Sequence, residues 1–312
     1  LFPPTLLGQN IPIHIPLLPD ESNCHRKTFT VKTATTLLPF LLEALGGTSR
    51  NRIKAILGGG GIKVDRAIVK QFDHPLRPGM QVEISQSKPK SELKSSHLRL
   101  VYEDEFIVVI DKSAGILSMA GSPHIFSVKT ILDDYFAKTH KRCRAHVVHR
   151  LDRETSGLLV YAKTIEAEQI LEHNWQRIVR DRRYVAVLSG VLETPSGTVR
   201  NWLKDNKAYV TYSSPTDNGG KFAVTHFRRL KHSETHTLAE FKLETGRKNQ
   251  IRVHAQDLGH PVCGDTKYGN GDNPIGRLCL HAYRLDFYHP ITGELLHFET
   301  PYPKPFLSVL QK

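Results

Sequence analysis

The sequence predicts an α+β protein with two units, a small N-terminal one and a larger one whose sheet is mostly antiparallel and flanked by helices. Strand patterns with few helical periods between them follow residue 97, and a separate helix-rich segment precedes it. The length of 312 residues also exceeds the roughly 100 to 200 residues of one domain. We divide the chain into an arm (1–27), a small α+β domain (28–84), a linker (85–96) and a large domain (97–312).

The charge of the chain points to a polyanionic partner. Lys and Arg total 43 against 31 acidic residues, which gives a net charge of +12. No basic amphipathic helix is evident, so we expect nucleic acid and not a membrane surface. A merely basic enzyme is the alternative.

The remaining composition excludes several classes of protein. The four cysteines form no Cys-x-x-Cys pair, so neither a zinc site nor a disulfide framework is predicted, and a reducing, cytoplasmic location is expected. No apolar run reaches the roughly 20 residues that span a bilayer. The N-terminal residues do not look like a secretory signal. A monomer is the simplest expectation.

Two helices and two strands are predicted in the small domain. "TLLPFLLEALGG" (36–47) indicates a helix ended by its glycines, and "SRNRIKAIL" (49–57) one that opens at its serine. "IKV" (62–64) and "MQVEI" (80–84) are the strand candidates. The candidate RNA contacts are the basic side chains in and after the second helix, Arg50, Arg52, Lys54 and Lys63. Arg50 and Lys54 are spaced i and i+4 and therefore share one helix face.

The large domain opens with a strand pair, "LRLVYEDEFIVVIDK" (98–112), and a helix capped by Ser127. "LLVYAKT" has the apolar density of a central strand, and Thr164 then caps a helix through about Arg180. Four strand patterns follow, "RRYVAVL", "KAYVTY", "KFAVTHFRRL" and "THTLAEFKLET", and the last two form a hairpin. "GRKNQIRVHAQDLG" predicts a helix that Gly259 ends.

The stretch "HRLDRETSGLLVYAKT" (149–164) concentrates charge directly before the predicted central strand. A polar loop between ordered elements can hold Asp152 rigidly at a sheet edge, as a reactive carboxylate requires. Arg150 and Arg153 are expected to lower the pKa of this aspartate. A loop cap in which Asp152 accepts backbone N–H groups explains the pattern equally well, and the residues alone leave both readings open.

The same stretch resembles the signature of the RluA-type pseudouridine synthases, H-R-L-D-x-x-T-S-G-L-L followed by a short apolar strand and Ala-Lys. Further blocks occur in the family's order between about residues 98 and 300: "YEDEFIVVIDKSAG", "RRYVAVLSG", "GRKNQIRVHAQDLGHPVCGDTKYG" and "LCLHAYRLDFYHPITGE". The small domain resembles the S-four-like RNA-binding domain named after a small-subunit ribosomal protein. The resemblance implies conversion of uridine to pseudouridine in RNA, with no metal and no cofactor.

The resemblance also assigns roles to residues. It implies that Asp152 is the catalytic carboxylate, that Arg252 pairs with it, and that Tyr184 stacks on the base and helps remove the proton from ring carbon 5. Without the motif, Tyr184 would be a core residue and Arg252 a solvent-facing helix residue. Arg150 would fill the space that a flipped uridine leaves. The predicted substrate contacts are Arg150, His149, Thr155 and Gln250.

The substrate is predicted to be large-subunit ribosomal RNA in preference to transfer RNA, because accessory basic domains in this family accompany ribosomal substrates. Whether Asp152 attacks the sugar or removes a proton from it stays open. Two other functions are considered. One is a non-catalytic RNA-binding or ribosome-assembly factor on the same fold, and the other is a glycosidase that releases free uracil. The family's common Arg-Thr-His-Gln is replaced by Arg247-Lys248-Asn249-Gln250, which puts the substrate-facing loops in doubt.

Overall fold

The computed structural model of the protein describes residues 26–46, 48–58, 61–65, 67–85, 93–122, 124–139 and 143–311. Most of the predicted arm and linker, and part of the four-glycine stretch at 58–61, therefore lie outside the described residues. The chain divides into two compact units, Leu1–Ser91 and Glu92–Lys312. The first strand begins at Arg26, two residues inside the predicted arm.

The first unit combines two helices with short strands. Its elements are β1 (Arg26–Thr30), β2 (Thr35–Thr36), α1 (Leu37–Ala44), α2 (Arg50–Gly58), β3 (Ile62–Val64), β4 (Ala67–Ile68), β5 (Pro75–Leu76) and β6 (Gln81–Ser85). Four strands form a sheet in the order β1-β6-β3-β4, and β2 pairs with β5. Both predicted helices and both predicted strands are present. The remaining four strands have two to five residues each, too short for a periodic pattern.

The helices and the sheet of this unit share one hydrophobic cluster. Leu37 and Leu41 of α1, Ile53 of α2 and Ile84 of β6 are fully buried in it. The basic residues lie elsewhere on these elements: Arg50 and Lys54 are exposed on α2, while Lys63 is half-buried in β3. The side chain of Arg52 lies outside the described residues.

The second unit contains one large sheet. Its elements are β7 (Leu98–Glu103), β8 (Ile107–Lys112), α3 (Val128–Thr139), β9 (His146–Val147), β10 (Ser156–Ala162), α4 (Ile165–Ile178), β11 (Val179–Ser189), β12 (Ser196–Asp205), β13 (Thr211–Ser214), β14 (Lys221–His232), β15 (His236–Leu243), α5 (Gln250–Asp257), β16 (Leu280–Tyr288), β17 (Leu295–Glu299) and α6 (Lys304–Val309). The strand order is β13-β12-β14-β15-β11-β16-β10-β8-β7, with β17 beside β16 and β9 beside β10. Every pair among these strands is antiparallel except β10 with β16. The predicted α+β class with a mostly antiparallel sheet is confirmed.

The predicted central strand, β10, is buried along its whole length. Its side chains alternate between two hydrophobic clusters, because successive residues of a strand point to opposite faces. Leu159 and Tyr161 join the cluster that contains α3, whereas Leu158 and Val160 join the cluster that contains α4. This strand therefore provides a rigid support for the charged loop that precedes it.

The predicted helix ends are found with small shifts. Thr164 Oγ1 accepts a hydrogen bond from the amide of Ala167 at the start of α4, and Ser127 Oγ accepts one from Thr130 at the start of α3. The helix after Thr164 ends at Ile178, two residues earlier than predicted, and the chain continues directly into β11.

One predicted strand is partly wrong, and three strands, β9, β12 and β17, were missed. "KAYVTY" (207–212) is a turn up to Val210, and β13 begins only at Thr211. The reason is Asn206, whose side-chain Oδ1 accepts hydrogen bonds from the amides of Ala208 and Val210 and so closes the turn. The longest missed strand is β12, whose sequence "SGTVRNWLKD" lacks regular apolar alternation.

Among the described residues, no helix is long and apolar enough to cross a membrane. The three cysteines within them, Cys143, Cys263 and Cys279, are free thiols.

Candidate active site

Hydrogen bonds on both sides of Asp152 hold the backbone of the loop that carries it. Ser118 Oγ donates to the carbonyl of Leu151 at 2.8 Å and accepts from the amide of the same residue at 3.1 Å. On the other side of the aspartate, the carbonyl of Arg153 accepts from Lys112 Nζ at 3.0 Å and from the amide of Gly115 at 2.9 Å. The backbone is thus held at the residues before and after Asp152.

The loop enters β10 through a glycine that no other residue can replace without a clash. Gly157 has a φ of +116°, and a Cβ added to it would lie 2.2 Å from the carbonyl oxygen of Ala282 in β16. This close approach is possible because β10 and β16 pair in parallel at Ser156 and Gly157. Ser156 is already part of β10, where its Oγ lies 2.9 Å from Nδ1 of His281.

The guanidinium of Arg252 links two carboxylates. Its Nε and Nη2 donate to the two oxygens of Asp265 at 2.6 and 2.7 Å, and its Nη1 lies 3.5 Å from Oδ2 of Asp152. The same Nη1 donates to Oδ1 of Asn249 at 3.0 Å. The predicted pairing of Arg252 with Asp152 is therefore present, but Asp265 holds the arginine more tightly.

The buried charges of Arg252 and Asp265 stabilise each other. Burial alone would lower the pKa of Arg252, but the hydrogen bonds and the charge of Asp265 raise it above its ordinary value. Burial would likewise raise the pKa of Asp265, but the bonds from Arg252 hold it below the usual range. Both groups are therefore charged, so a fixed positive charge lies beside Asp152.

Tyr184 of β11 faces the same cleft as Asp152. The residue is only 9% exposed. Burial and the charge of Asp152 raise the pKa of its hydroxyl, although the nearby Arg182 opposes this. The phenol is therefore neutral and lines the same cleft as the carboxylate of Asp152.

The residues that line this cleft include six that the sequence singled out: Arg150, Asp152, Thr155, Tyr184, Gln250 and Arg252. They come from the charged loop, β11 and α5, which are far apart in the sequence. The cleft opens to solvent, and the side chain of Asp152 is 29% exposed. A carboxylate held beside a cation, opposite a buried phenol, can act as nucleophile or base toward a group that enters the cleft.

Gln250 lies in the cleft wall, but its amide is occupied by the protein. Nε2 donates to the carbonyl of Val224 and to Thr225 Oγ1, and Oε1 accepts from Thr245 Oγ1 and from the amide of Arg247. All four hydrogen-bonding positions of this side chain are used. Gln250 thus fixes the segment that leads into α5, and its contact with substrate stays a prediction.

His149 also differs from the prediction. Its Nε2 accepts a hydrogen bond from the amide of Val160, and its ring packs on Trp175 with 4.5 Å between ring centroids. Burial, helped by Arg182, lowers its pKa to about 3, so the ring is neutral and suited to accept this bond. His149 does not line the cleft around Asp152 and supports β10 from the side.

Among the described residues, neither Arg150 nor Arg153 forms an ion pair with Asp152. Arg153 lies 3.5 Å from Glu154 and donates to the carbonyl of Gly115. Arg150 is exposed at the cleft and, within the described part of the chain, forms no ion pair with Asp152. Arg252 supplies the neighbouring charge instead. The loop turn itself is closed through the backbone, where the amide of Thr155 donates to the carbonyl of Asp152.

Three residues that position Arg252 were missed in the sequence. Asp265 has a fully buried side chain, Asn249 has a left-handed φ of +54°, and the ring centroid of Tyr268 lies 5.0 Å from the guanidinium carbon. The hydroxyl of Tyr268 accepts a hydrogen bond from Asn249 Nδ2. All three lie in "GRKNQIRVHAQDLGHPVCGDTKYG", a block that resembles the family's, and this resemblance is the feature of the sequence that could have pointed to them.

A separate group of side chains has the chemistry of metal ligands. The donor atoms of His236, Cys263 and Asp272 lie within 4.8 Å of one another. Asp272 Oδ2 lies 3.0 Å from Nε2 of His236 and accepts from the thiol of Cys263 at 3.4 Å. Burial and Asp272 raise the pKa of this thiol. These contacts form a hydrogen-bonded network around a neutral thiol, and none of the three residues lines the cleft.

Comparison with known proteins gives a consistent result for the second unit. A family model described as RNA pseudouridylate synthase matches residues 106–257. An uncharacterized RNA pseudouridine synthase of Bacillus subtilis, YhcT, is 34% identical over 244 residues, 77% of this chain and 79% of that protein. Ribosomal large subunit pseudouridine synthase D of Haemophilus influenzae is 33% identical over 289 residues, 86% of this chain and 88% of that protein.

Solved structures show the same fold. Human RNA pseudouridylate synthase domain containing 1 aligns with a TM-score of 0.55 and 25% identity, over 70% of this chain and 88% of that one. Human RNA pseudouridylate synthase domain containing 4 aligns with a TM-score of 0.56 and 23% identity, over 68% of this chain and 91% of that one.

Proposed function

Because the chain belongs to the RluA-type family of RNA pseudouridine synthases, we propose that it converts specific uridines of structured RNA to pseudouridine in the cleft around Asp152. The observation that carries this proposal is the placement of Asp152 beside the buried cation of Arg252 and in the same cleft as Tyr184. Asp152, Tyr184 and Arg252 are the catalytic group.

The reaction exchanges one bond between ribose and uracil for another, so uridine and pseudouridine contain the same atoms. The bond from the ribose to the ring nitrogen of uracil breaks, the base turns, and a bond from the ribose to ring carbon 5 forms. The proton on carbon 5 leaves, and the ring nitrogen regains one. Asp152 acts at the ribose, either as a nucleophile or as a base. The cation of Arg252 lies beside it, and we assign to Tyr184 stacking on the detached base and help in removing the proton from carbon 5.

Arg150 assists entry of the uridine. A base inside folded RNA must leave its stack at a cost of a few kcal/mol. Arg150 is exposed at the cleft, and its planar guanidinium can occupy the vacated position and bond to the orphaned partner base. Thr155, buried in the cleft wall, shapes the same entrance.

Large-subunit ribosomal RNA is the proposed substrate. Relatives that share about a third of their residues with most of this chain are named ribosomal large subunit pseudouridine synthase D. The first unit, with Arg50 and Lys54 exposed on α2 and Lys63 half-buried on β3, is proposed as an S-four-like RNA-binding domain. The cytoplasmic location and the monomeric state stay predictions.

The experiment uses purified full-length protein with transcripts of large-subunit ribosomal RNA and of transfer RNA. Carbodiimide labelling and primer extension locate pseudouridine, and chromatography detects free uracil. We expect stops at defined uridines of the ribosomal transcript and no uracil. Release of uracil would indicate a glycosidase. Tight RNA binding without any product would indicate an RNA-binding or assembly factor, and stops in transfer RNA alone would refute the proposed substrate.

A further inference from the structure

The turn between β12 and β13 presents a tyrosine in an unfavourable position. Tyr209 has a left-handed φ of +58° and is 76% exposed. Residues other than Gly, Asn and Asp rarely adopt this backbone conformation, and an exposed ring adds no burial energy to the stability of the fold. The turn is already closed by Asn206, which accepts two amides through its side chain. Local stability therefore gives no reason for a tyrosine here.

Two lysines hold this turn against the candidate active site. The carbonyl of Tyr209 accepts hydrogen bonds from Lys248 Nζ at 3.2 Å and from Lys267 Nζ at 2.8 Å. Lys248 precedes Asn249, which contacts Arg252, and Lys267 donates its amide to Asp265. The backbone of Tyr209 is thus held by the two segments that position Arg252.

A basic groove borders this turn, because Asp205 and Thr211, which flank the turn, line it. Its volume is about 400 Å³. Four of the residues that line it are cations, Lys204, Lys221, Arg247 and Lys248, against one carboxylate, Asp205. Arg247 lines both this groove and the cleft around Asp152, so the two are neighbours.

We propose that Tyr209 stacks on an unpaired base close to the target uridine and that this groove binds the phosphates between the two nucleotides. Single-stranded nucleic acid is held in this way by aromatic rings beside positive charges, because every base has a flat face and every linkage a negative charge. Lys248 Nζ lies 5.9 Å from the centre of the Tyr209 ring and adds a cation to the platform. The inference rests on the proposed function and extends its substrate contacts beyond the cleft.

Two variants at the same position separate stacking from backbone effects. Tyr209→Asn removes the ring but tolerates the left-handed backbone, and Tyr209→Phe keeps the ring. One probe is a short single-stranded RNA with a fluorescent aminopurine base, whose emission falls on stacking. The second is the ribosomal transcript, on which KM and kcat for pseudouridine formation are measured. Phe126→Ala is the control, because Phe126 is 58% exposed and lies outside both the groove and the cleft.

For Tyr209→Asn we expect loss of quenching and a Kd and KM raised roughly 5- to 100-fold, with kcat changed much less and with the melting temperature unchanged or raised. Tyr209→Phe and Phe126→Ala should match the wild type. If the wild-type protein forms pseudouridine and Tyr209→Asn shows the same quenching and the same KM as the wild type, this inference is overturned and the proposed function stays intact. Quenching that depends on Tyr209 in a protein that forms no pseudouridine would support the inference and refute the function.

Discussion

Arg252 and Asp265 form a two-bond ion pair at 2.6 and 2.7 Å, and the second carboxylate near the arginine, that of Asp152, lies farther away at 3.5 Å. The arginine is therefore oriented by a residue that faces the protein interior. Asp265 in turn accepts the amides of Lys267 and Tyr268, which fix its own position. Asp152 is left exposed enough to react while a fixed positive charge lies beside it.

Substitution of Asp265 by asparagine should impair both stability and catalysis. Asp265→Asn leaves the largely buried Arg252 with only the more distant Asp152 as a carboxylate partner, and breaking a buried ion pair costs about 3 to 5 kcal/mol. We expect kcat to fall roughly 10- to 100-fold because Arg252 loses its orientation. Asp111→Asn is the control, since its pair with Arg99 is exposed and is worth at most about 1 kcal/mol. Equal melting temperatures for the two variants would contradict this account.

A methyl group at Gly157 should disrupt the second unit. The added Cβ of Gly157→Ala would lie 2.2 Å from a backbone oxygen of Ala282, in a backbone conformation unfavourable to alanine. We expect a loss of at least about 3 kcal/mol in the free energy of unfolding. Thermal unfolding tests this against Gly121→Ala, where nothing lies within 4 Å of the new Cβ. A melting temperature within a degree or so of the control would show that the strand junction is less tight than described.

The buried Lys112 should make stability depend on alkaline pH. Burial lowers its pKa from 10.5 to about 8. Between pH 8 and pH 10.5 the unfolded chain holds the proton on Lys112 and the folded chain does not, so the free energy of unfolding rises with pH across this window. Below pH 8 both states hold the proton, and the folded state carries the full cost of burying the charged ammonium. The difference amounts to about 3 kcal/mol. Denaturant unfolding of wild type and Lys112→Met from neutral to alkaline pH measures it, and parallel curves would refute the assignment.

Arg150 should matter for folded RNA and much less for an accessible uridine. Arg150→Ala removes the group that fills the vacated stack, so kcat/KM on a base-paired target should fall roughly 10- to 100-fold, which corresponds to a few kcal/mol of unstacking. On a transcript in which the same uridine is unpaired, the loss should be several-fold smaller. An equal loss on both transcripts would mean that Arg150 acts in the chemical step or in general RNA affinity.

The sequence and the structure agree where local pattern decides. The caps at Ser127 and Thr164 and the apolar strand predicted from "LLVYAKT", which the structure places at Ser156–Ala162, follow from short-range chemistry that a sequence displays. The role of Asp265 depends on a loop that returns to α5, and no spacing rule reveals such a contact. The turn at Tyr209 was missed because its residues favour a strand, while Asn206 closes the backbone with two hydrogen bonds.

Conversion of RNA by Asp152→Asn under single-turnover conditions tests the central claim most directly. Asparagine has nearly the same size and leaves Arg252 paired with Asp265, so the fold and RNA binding should be retained. We expect binding of the ribosomal transcript within a few-fold of wild type and no detectable pseudouridine at the uridines that the wild type modifies. Product formation by Asp152→Asn at a rate near that of the wild type would contradict the assignment of Asp152 as the catalytic carboxylate.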